Sequence, residues 1–115
     1  MSGLGFRLHP GGDPICEIGQ PGEEGYVIGR SDESSDYLPD IDLANYNARA
    51  LGVSRRHAAL VRYHGVPHVI DLSSVNGTFL NGRRLVPEVP YPVENDCLIR
   101  LGTLQLSVAV PSDKS

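Results

Sequence analysis

The chain is 115 residues long and 40% hydrophobic, with 14 acidic against 10 basic residues and a net charge of −4. That length suffices to bury a core without disulfide or metal staples, and the acidic balance argues against a general nucleic-acid binder, which needs a basic footprint. No apolar run approaches the roughly 20 residues of a membrane span, and the opening Met-Ser-Gly-Leu-Gly-Phe-Arg lacks the basic-then-apolar pattern of a signal peptide. The expectation is one cytoplasmic domain over residues 1–115 with its core at about 5–110.

Thirteen glycines and nine prolines punctuate the sequence every few residues, which suits many short strands and no long helix. Phe6-Arg7-Leu8-His9 and Ile15-Cys16-Glu17-Ile18 alternate apolar with polar residues around a Pro10-Gly11-Gly12-Asp13-Pro14 turn, and read as a hairpin. Residues 26–28 form a third strand that delivers Arg30 into a loop. Residues 31–53 are the least regular stretch, with a brief strand at 40–43 and a helical turn at 46–51 before Gly52. A connection of that length is either functional or an elaborated excursion. Residues 58–63 and 67–72 form a central hairpin about Gly65. Residues 78–80 and 83–86 form another about Asn81-Gly82, both of which accept positive φ. Pro87, Pro90 and Pro92 forbid a central strand and imply a loop or a sheet edge. Residues 97–101 and 103–110 make a last hairpin about Gly102, ahead of a polar tail at 111–115. About ten short strands joined by turns read as an all-β sandwich. Cys16 and Cys97 read as small residues on strands in preference to a disulfide.

Two polar clusters, Ser54-Arg55-Arg56-His57 and Ser73-Ser74-Val75-Asn76-Gly77-Thr78, bracket the central hairpin. Pairing about Gly65 puts both at one end of a sheet, where loops make a site on a rigid frame. The clusters offer hydroxyls, guanidinium groups, an imidazole and a side-chain amide, and no carboxylate falls between Gly52 and Ile70. That is the lining of an anion site. Adjacent strand residues alternate faces, so Arg55 is the candidate for the anion and Arg56 is expected to turn to solvent.

Gly29-Arg30, Ser54-Arg55-Arg56-His57 and Asn76-Gly77-Thr78-Phe79-Leu80-Asn81-Gly82, in this order and between strands, closely resemble the forkhead-associated (FHA) domain family over roughly residues 5–110. The resemblance implies two twisted antiparallel sheets of about 10–11 short strands in all, with recognition loops at one end. It also implies a non-enzymatic module that binds phosphothreonine in a partner protein, an adaptor in Ser/Thr kinase signalling whose partner is a kinase or its substrate. By resemblance Arg30 is the principal phosphate ligand, its planar fork meeting two oxygens, and Ser54 donates to the phosphate. Arg55 adds a second charge or a backbone contact. Asn76 holds the partner's backbone beside the phosphoresidue, and His57 is a strut that positions Ser54. Gly29, Gly77, Thr78, Asn81 and Gly82 support the site: Gly77 permits a tight turn, Thr78 is structural, and Asn81-Gly82 form a hairpin turn. A phosphate monoester carries about −1.5 to −2 charges at neutral pH, which suits this set of donors.

Two departures from the family pattern stand out. Val75 occupies a position where many members place a polar residue, and the link between Arg30 and Ser54 is longer than usual, the extra residues falling at 44–52. Val75, with Asp32 and Glu33 after Arg30, motivates an alternative: an FHA scaffold used for phosphate-independent contact or self-association. A hydrolase built on Ser54 and His57 is the third reading, and it lacks an acid with an orienting role. Other chemistry finds no support. His64 and His68 are interrupted by Gly65 and Pro67, the aspartates at 36, 40 and 42 lack the pattern of a calcium loop, and no Gly-x-x-x-x-Gly-Lys loop occurs. Asn76-Gly77-Thr78 spells a glycosylation sequon that has no meaning without a secretory route. Neither a metal nor a cofactor is expected, and the chain reads as a monomer. The Gly-Val-Ser-Arg-Arg-His form has a bacterial look by resemblance.

Overall fold

The computed structural model describes residues 3–19, 21–22 and 24–110, so the expected polar tail at 111–115 lies outside the described residues. Among the described residues there are eleven short strands, and those at Leu4–Leu8, Val66–Asp71, Cys97–Leu101 and Leu104–Ala109 alternate buried with less buried positions. The eleven are β1 (Leu4–Leu8), β2 (Pro14–Ile18), β3 (Tyr26–Gly29), β4 (Ile41–Asp42), β5 (Arg56–Tyr63), β6 (Val66–Asp71), β7 (Thr78–Leu80), β8 (Arg83–Arg84), β9 (Tyr91–Pro92), β10 (Cys97–Leu101) and β11 (Leu104–Ala109). One sheet runs β2-β1-β11-β10-β7-β8 and the other β4-β3-β5-β6-β9. Leu4, Phe6, Ile28, Leu60, Val69, Ile99 and Leu106, each at most 1% exposed, pack between them. The all-β sandwich expected from the sequence is the fold.

Turn chemistry fixes the registers that matter. Tyr63 pairs with Val66, so β5 and β6 are joined by a two-residue turn of His64 and Gly65, both at positive φ. A turn of that kind matches the twist of paired strands. It aligns β5 with β6 from Tyr63↔Val66 to Ala58↔Asp71 and brings the loops before β5 and after β6 to the same end. Asn81 and Gly82, also both at positive φ, turn β7 into β8. The proline-rich 87–92 stretch lies at an edge, where Pro92 on β9 pairs with His68.

The departures are local. β4 runs parallel to β3, with Ile28 opposite Ile41, whereas every other pair is antiparallel. Residues 30–40 provide the long return that a parallel pairing needs, and the Asp40 carboxylate accepts the Val27 N–H at 2.8 Å. The expected helical turn at 46–51 is a 3-10 turn at Ala44–Tyr46 followed by further turns to Gly52. That segment is held by the buried Ala48, whose carbonyl accepts from the Val53 N–H. The cysteines are free. Cys16 pairs with Phe6, Phe6 with Val108, and Val108 with Cys97. Three strand spacings of about 4.8 Å therefore separate them, roughly twice a disulfide's reach. Burial pushes the Cys97 thiol up to about 11.

Where β3 ends, the β3–β5 register slips by one residue: Ile28 faces Ala58 but Gly29 faces Arg56. This bulge turns two consecutive residues, His57 and Ala58, inward. It also presses Gly29 against the Arg55 backbone, where a Cβ would overlap the Arg55 carbonyl oxygen. Gly29→Ala is therefore expected to destabilise the domain by about 2–3 kcal/mol, read as a lower urea midpoint at unchanged m-value.

Candidate functional site

Beneath the two loops lies His57, fully buried. Its Nδ1 accepts the Ser54 backbone N–H at 2.9 Å, and its Nε2 lies 2.9 Å from the Gly77 carbonyl oxygen. Since Nδ1 accepts, Nε2 carries the proton and donates, so the ring is neutral. One imidazole thus ties the loop before β5 to the loop after β6. Gly77 serves at φ 88°, a left-handed conformation that L side chains rarely adopt. Its carbonyl also accepts the Gly102 N–H at 3.0 Å.

A second buried group organises the 72–78 loop. Asp71, 2% exposed, closes β6 and accepts from the Thr78 hydroxyl at 2.6 Å, the Ser74 hydroxyl at 2.6 Å and the Ser74 N–H at 3.2 Å. Ser74 then accepts the Gly77 N–H at 3.0 Å, closing the turn on itself. Asp71 and Ser74 escaped the sequence reading. The spacing Asp71-x-x-Ser74 at a strand end, an acceptor that can cap its own turn, was the available signal.

On this base sit the candidate ligands. The Ser54 hydroxyl oxygen accepts the Val75 N–H at 3.3 Å, so the two donors that would meet an anion already converge. The Asn76 amide donates to the Gly52 carbonyl at 2.9 Å, bridging the two loops. The Gly52 side of that bridge is pinned in turn from the β10–β11 turn, because the Thr103 N–H and hydroxyl both donate to the Leu51 carbonyl at 2.8 Å. Arg55 is exposed and makes no ion pair among the described residues. Asn81 is outside the cluster: its side chain accepts the Leu98 N–H at 2.9 Å and its own N–H donates to Leu98, which anchors the β7–β8 turn to β10. Gly82 completes that turn.

Arg30 differs from expectation in its company. Its Nε donates to the Val53 carbonyl at 2.7 Å, and Nη1 meets the Asp32 carboxylate at 3.1 Å. Nε and Nη1 are thus engaged by the chain itself, while Nη2 makes no hydrogen bond among the described residues. Hydrogen bonds from the Ser34 N–H, then from Arg30 and the Ser34 hydroxyl, hold the Asp32 carboxyl well below the usual carboxylate range. Arg30 shares its cleft with Asp32, Glu33 and Arg49, while Ser54, Arg55 and Val75 line a neighbouring one. Arg56 lines that second cleft too, although strand alternation assigned it to the opposite side. The reason is that β5 begins only at Arg56 and Arg55 lies in the bend before it, so strand alternation does not govern the pair.

The Ser54–His57 pair has the wrong contact for nucleophilic catalysis. His57 meets the backbone nitrogen of Ser54, and both ring nitrogens are committed to main-chain groups. Catalysis would need a base within reach of the hydroxyl.

Burial depresses the His57 pKa below its ordinary 6.5, against smaller upward pulls from the Gly77 carbonyl and Asp71. The folded state then binds fewer protons than the unfolded one, so this stabilisation is complete above pH 6.5 and is lost as pH falls below it. Denaturant midpoints measured from about pH 7.5 down to pH 5 should decline, and a His57→Gln variant should lack that part of the slope. Asp71→Ala, which strands two hydroxyls and an N–H, should cost about 2–4 kcal/mol in the same assay.

Among the described residues no helix is long and apolar enough to cross a membrane. The family model for the FHA domain matches residues 26–102, which includes both loops of this cluster and Arg30. The probable E3 ubiquitin-protein ligase dma1 of Schizosaccharomyces pombe is 40% identical over 58 residues, covering 47% of this chain and 22% of that protein. The chain thus spans less than a quarter of the length of that curated relative. A structure described under phosphothreonine-dependent FHA domain interactions superposes with a TM-score of 0.70 at 24% identity, over 96% of this chain and 99% of the other. An engineered FHA domain with a Myc-pTBD peptide gives 0.70 at 20% identity, over 96% of this chain and 92% of that one. From the matched region and the shared fold, the chain belongs to the FHA domain family.

Proposed function

We propose that this chain is a non-enzymatic module that recognises phosphothreonine in a partner protein, an adaptor in cytoplasmic Ser/Thr kinase signalling. The observation that carries this reading is the convergence of the Ser54 hydroxyl and the Val75 N–H, 3.3 Å apart, beside the unpaired Arg55. They sit on loops locked from below by His57 and Asp71. In this reading Ser54 donates to the phosphate, the Val75 backbone supplies a donor where its side chain cannot, and Arg55 supplies charge. Arg30 turns from Asp32 to the phosphate on binding. Asn76, already bridging to Gly52, offers its amide to the partner's main chain. The domains described above with phosphothreonine-dependent interactions and with a bound peptide share this fold and support the reading.

The rival is a scaffold that contacts its partner, or a second copy, without phosphate. Two observations favour it: the Arg30–Asp32 ion pair and the 83% exposed, apolar Val75 at the loop tip. Calorimetry with an oriented phosphothreonine peptide library, with unphosphorylated and phosphoserine controls, separates the two. The phosphothreonine reading expects binding that requires the phosphate and falls by more than about tenfold in Arg30→Ala and in Ser54→Ala. Binding indifferent to dephosphorylation and to Arg30→Ala would instead establish the scaffold. Asp32→Asn removes the internal competitor and should tighten phosphopeptide binding by up to about fivefold; weaker binding would show that Asp32 orients Arg30 for the ligand.

A further inference from the structure

The cleft beside Ser54 is larger and more basic than one phosphate requires. It has a volume of ≈ 400 Å³ and lies between the 31–40 loop, which contributes Ser35 and Tyr37, and the paired loops, which contribute Ser54, Arg55, Arg56 and Val75. No carboxylate lines it. In a chain of net charge −4 that is a local inversion of the average, and it contrasts with the adjoining Arg30 cleft, which holds both Asp32 and Glu33. Arg55 and Arg56 are both exposed, and the one salt bridge among the described residues joins Arg30 to Asp32. Neither arginine of the cleft is therefore neutralised within the fold.

Strand geometry would ordinarily separate these two side chains, since neighbours on a strand face opposite ways. Arg55, however, lies in the bend that precedes β5, outside the strand, so alternation does not relate the pair, and both arginines line the same cleft. Two guanidinium groups side by side repel each other unless anions lie between or over them. One phosphate, already served by Ser54, the Val75 N–H and Arg55, does not use Arg56. Tyr37 adds a phenol at the far wall, and its hydroxyl has no hydrogen-bond partner among the described residues.

Resting on the phosphothreonine reading above, we infer that Arg56, with Tyr37 opposite, forms a second anion seat. The partner segment then carries another anionic side chain, a carboxylate or a second phosphate, within a few residues of its phosphothreonine. The chemistry is shared by both sources: oxygen acceptors with negative charge, met by a planar guanidinium and a phenol.

The test compares three peptides on the folded domain by calorimetry: phosphothreonine in neutral flanks, the same with glutamate placed at each flanking position in turn, and the same with a second phosphothreonine there. The expected result is a gain of about tenfold from a second anion at one flanking position. That ratio should collapse towards one in Arg56→Ala and shrink in Tyr37→Phe. A larger gain from phosphate than from glutamate identifies a doubly phosphorylated partner, and the converse an acidic one; either upholds the seat. Equal affinity for all three peptides, or a gain that survives Arg56→Ala, overturns this inference and leaves the phosphothreonine reading standing. Failure of every phosphopeptide to bind overturns both.

Discussion

The site depends on one buried imidazole. Two loops that are separate in sequence and joined by no strand pairing of their own must hold their tips in fixed relation if a small anion is to be met from both sides. His57 does this with its two nitrogens, accepting from Ser54 and donating to Gly77. The neutral ring is the only protonation state that can perform both tasks, because the protonated ring has no acceptor. Burial enforces that state by disfavouring charge. The Asp71 network completes the frame by closing the 72–78 loop on a buried carboxylate whose acceptors are met by Ser74 and Thr78. Neither group touches the surface where a ligand would lie. Both determine where that surface is.

Charge is distributed unevenly over this frame. Arg30 follows β3 with two of its guanidinium nitrogens engaged, Nε by the Val53 carbonyl and Nη1 by the Asp32 carboxylate, so an anion approaching Nη1 would compete with a carboxylate held two residues away. Among the described residues Arg55 and Arg56 have no such counter-ion. A phosphate offers more charge and more acceptor oxygens than a carboxylate, so the exchange at Arg30 can favour the ligand while still rejecting a weaker anion. On the phosphothreonine reading the ion pair would act as a threshold, and Arg55 and Arg56 would supply long-range attraction in a chain whose net charge otherwise repels an anionic partner.

How much of this could be read from sequence follows from which interactions are local. The hairpins were legible because their turns are dictated by residues at the turn: Asn81-Gly82 accept positive φ in any context, and Gly65 marks the other. The strut and the candidate ligands were legible through resemblance, since their order and spacing carry the family pattern. Asp71 was missed because a lone aspartate at a strand end looks like a solvated residue, and only burial gives it a role. Arg56 is exposed, as its reading as a solvated residue expected, and it also borders the cleft beside Ser54, because Arg55 lies in the bend before β5 and strand alternation does not relate the two. The parallel β4 and the bracing of Leu51 by Thr103 join segments far apart in the chain and leave no local signature.

The same geometry explains why Ser54 and His57, three residues apart, are not set as nucleophile and base. A nucleophile needs its base at the hydroxyl, poised to take a proton and therefore free to change its own protonation state. Here the ring meets the serine through the backbone N–H, and changing its protonation would break the loop it supports. The hydroxyl is left without a base and retains its capacity to donate a hydrogen bond outward, with the Val75 N–H aimed at the same oxygen. A binding module gains from that arrangement because the donors are ordered before the ligand arrives, so little conformational entropy is lost on association. On the recognition reading, rigidity in the loops is what binding would use, and the buried polar groups beneath them are its source.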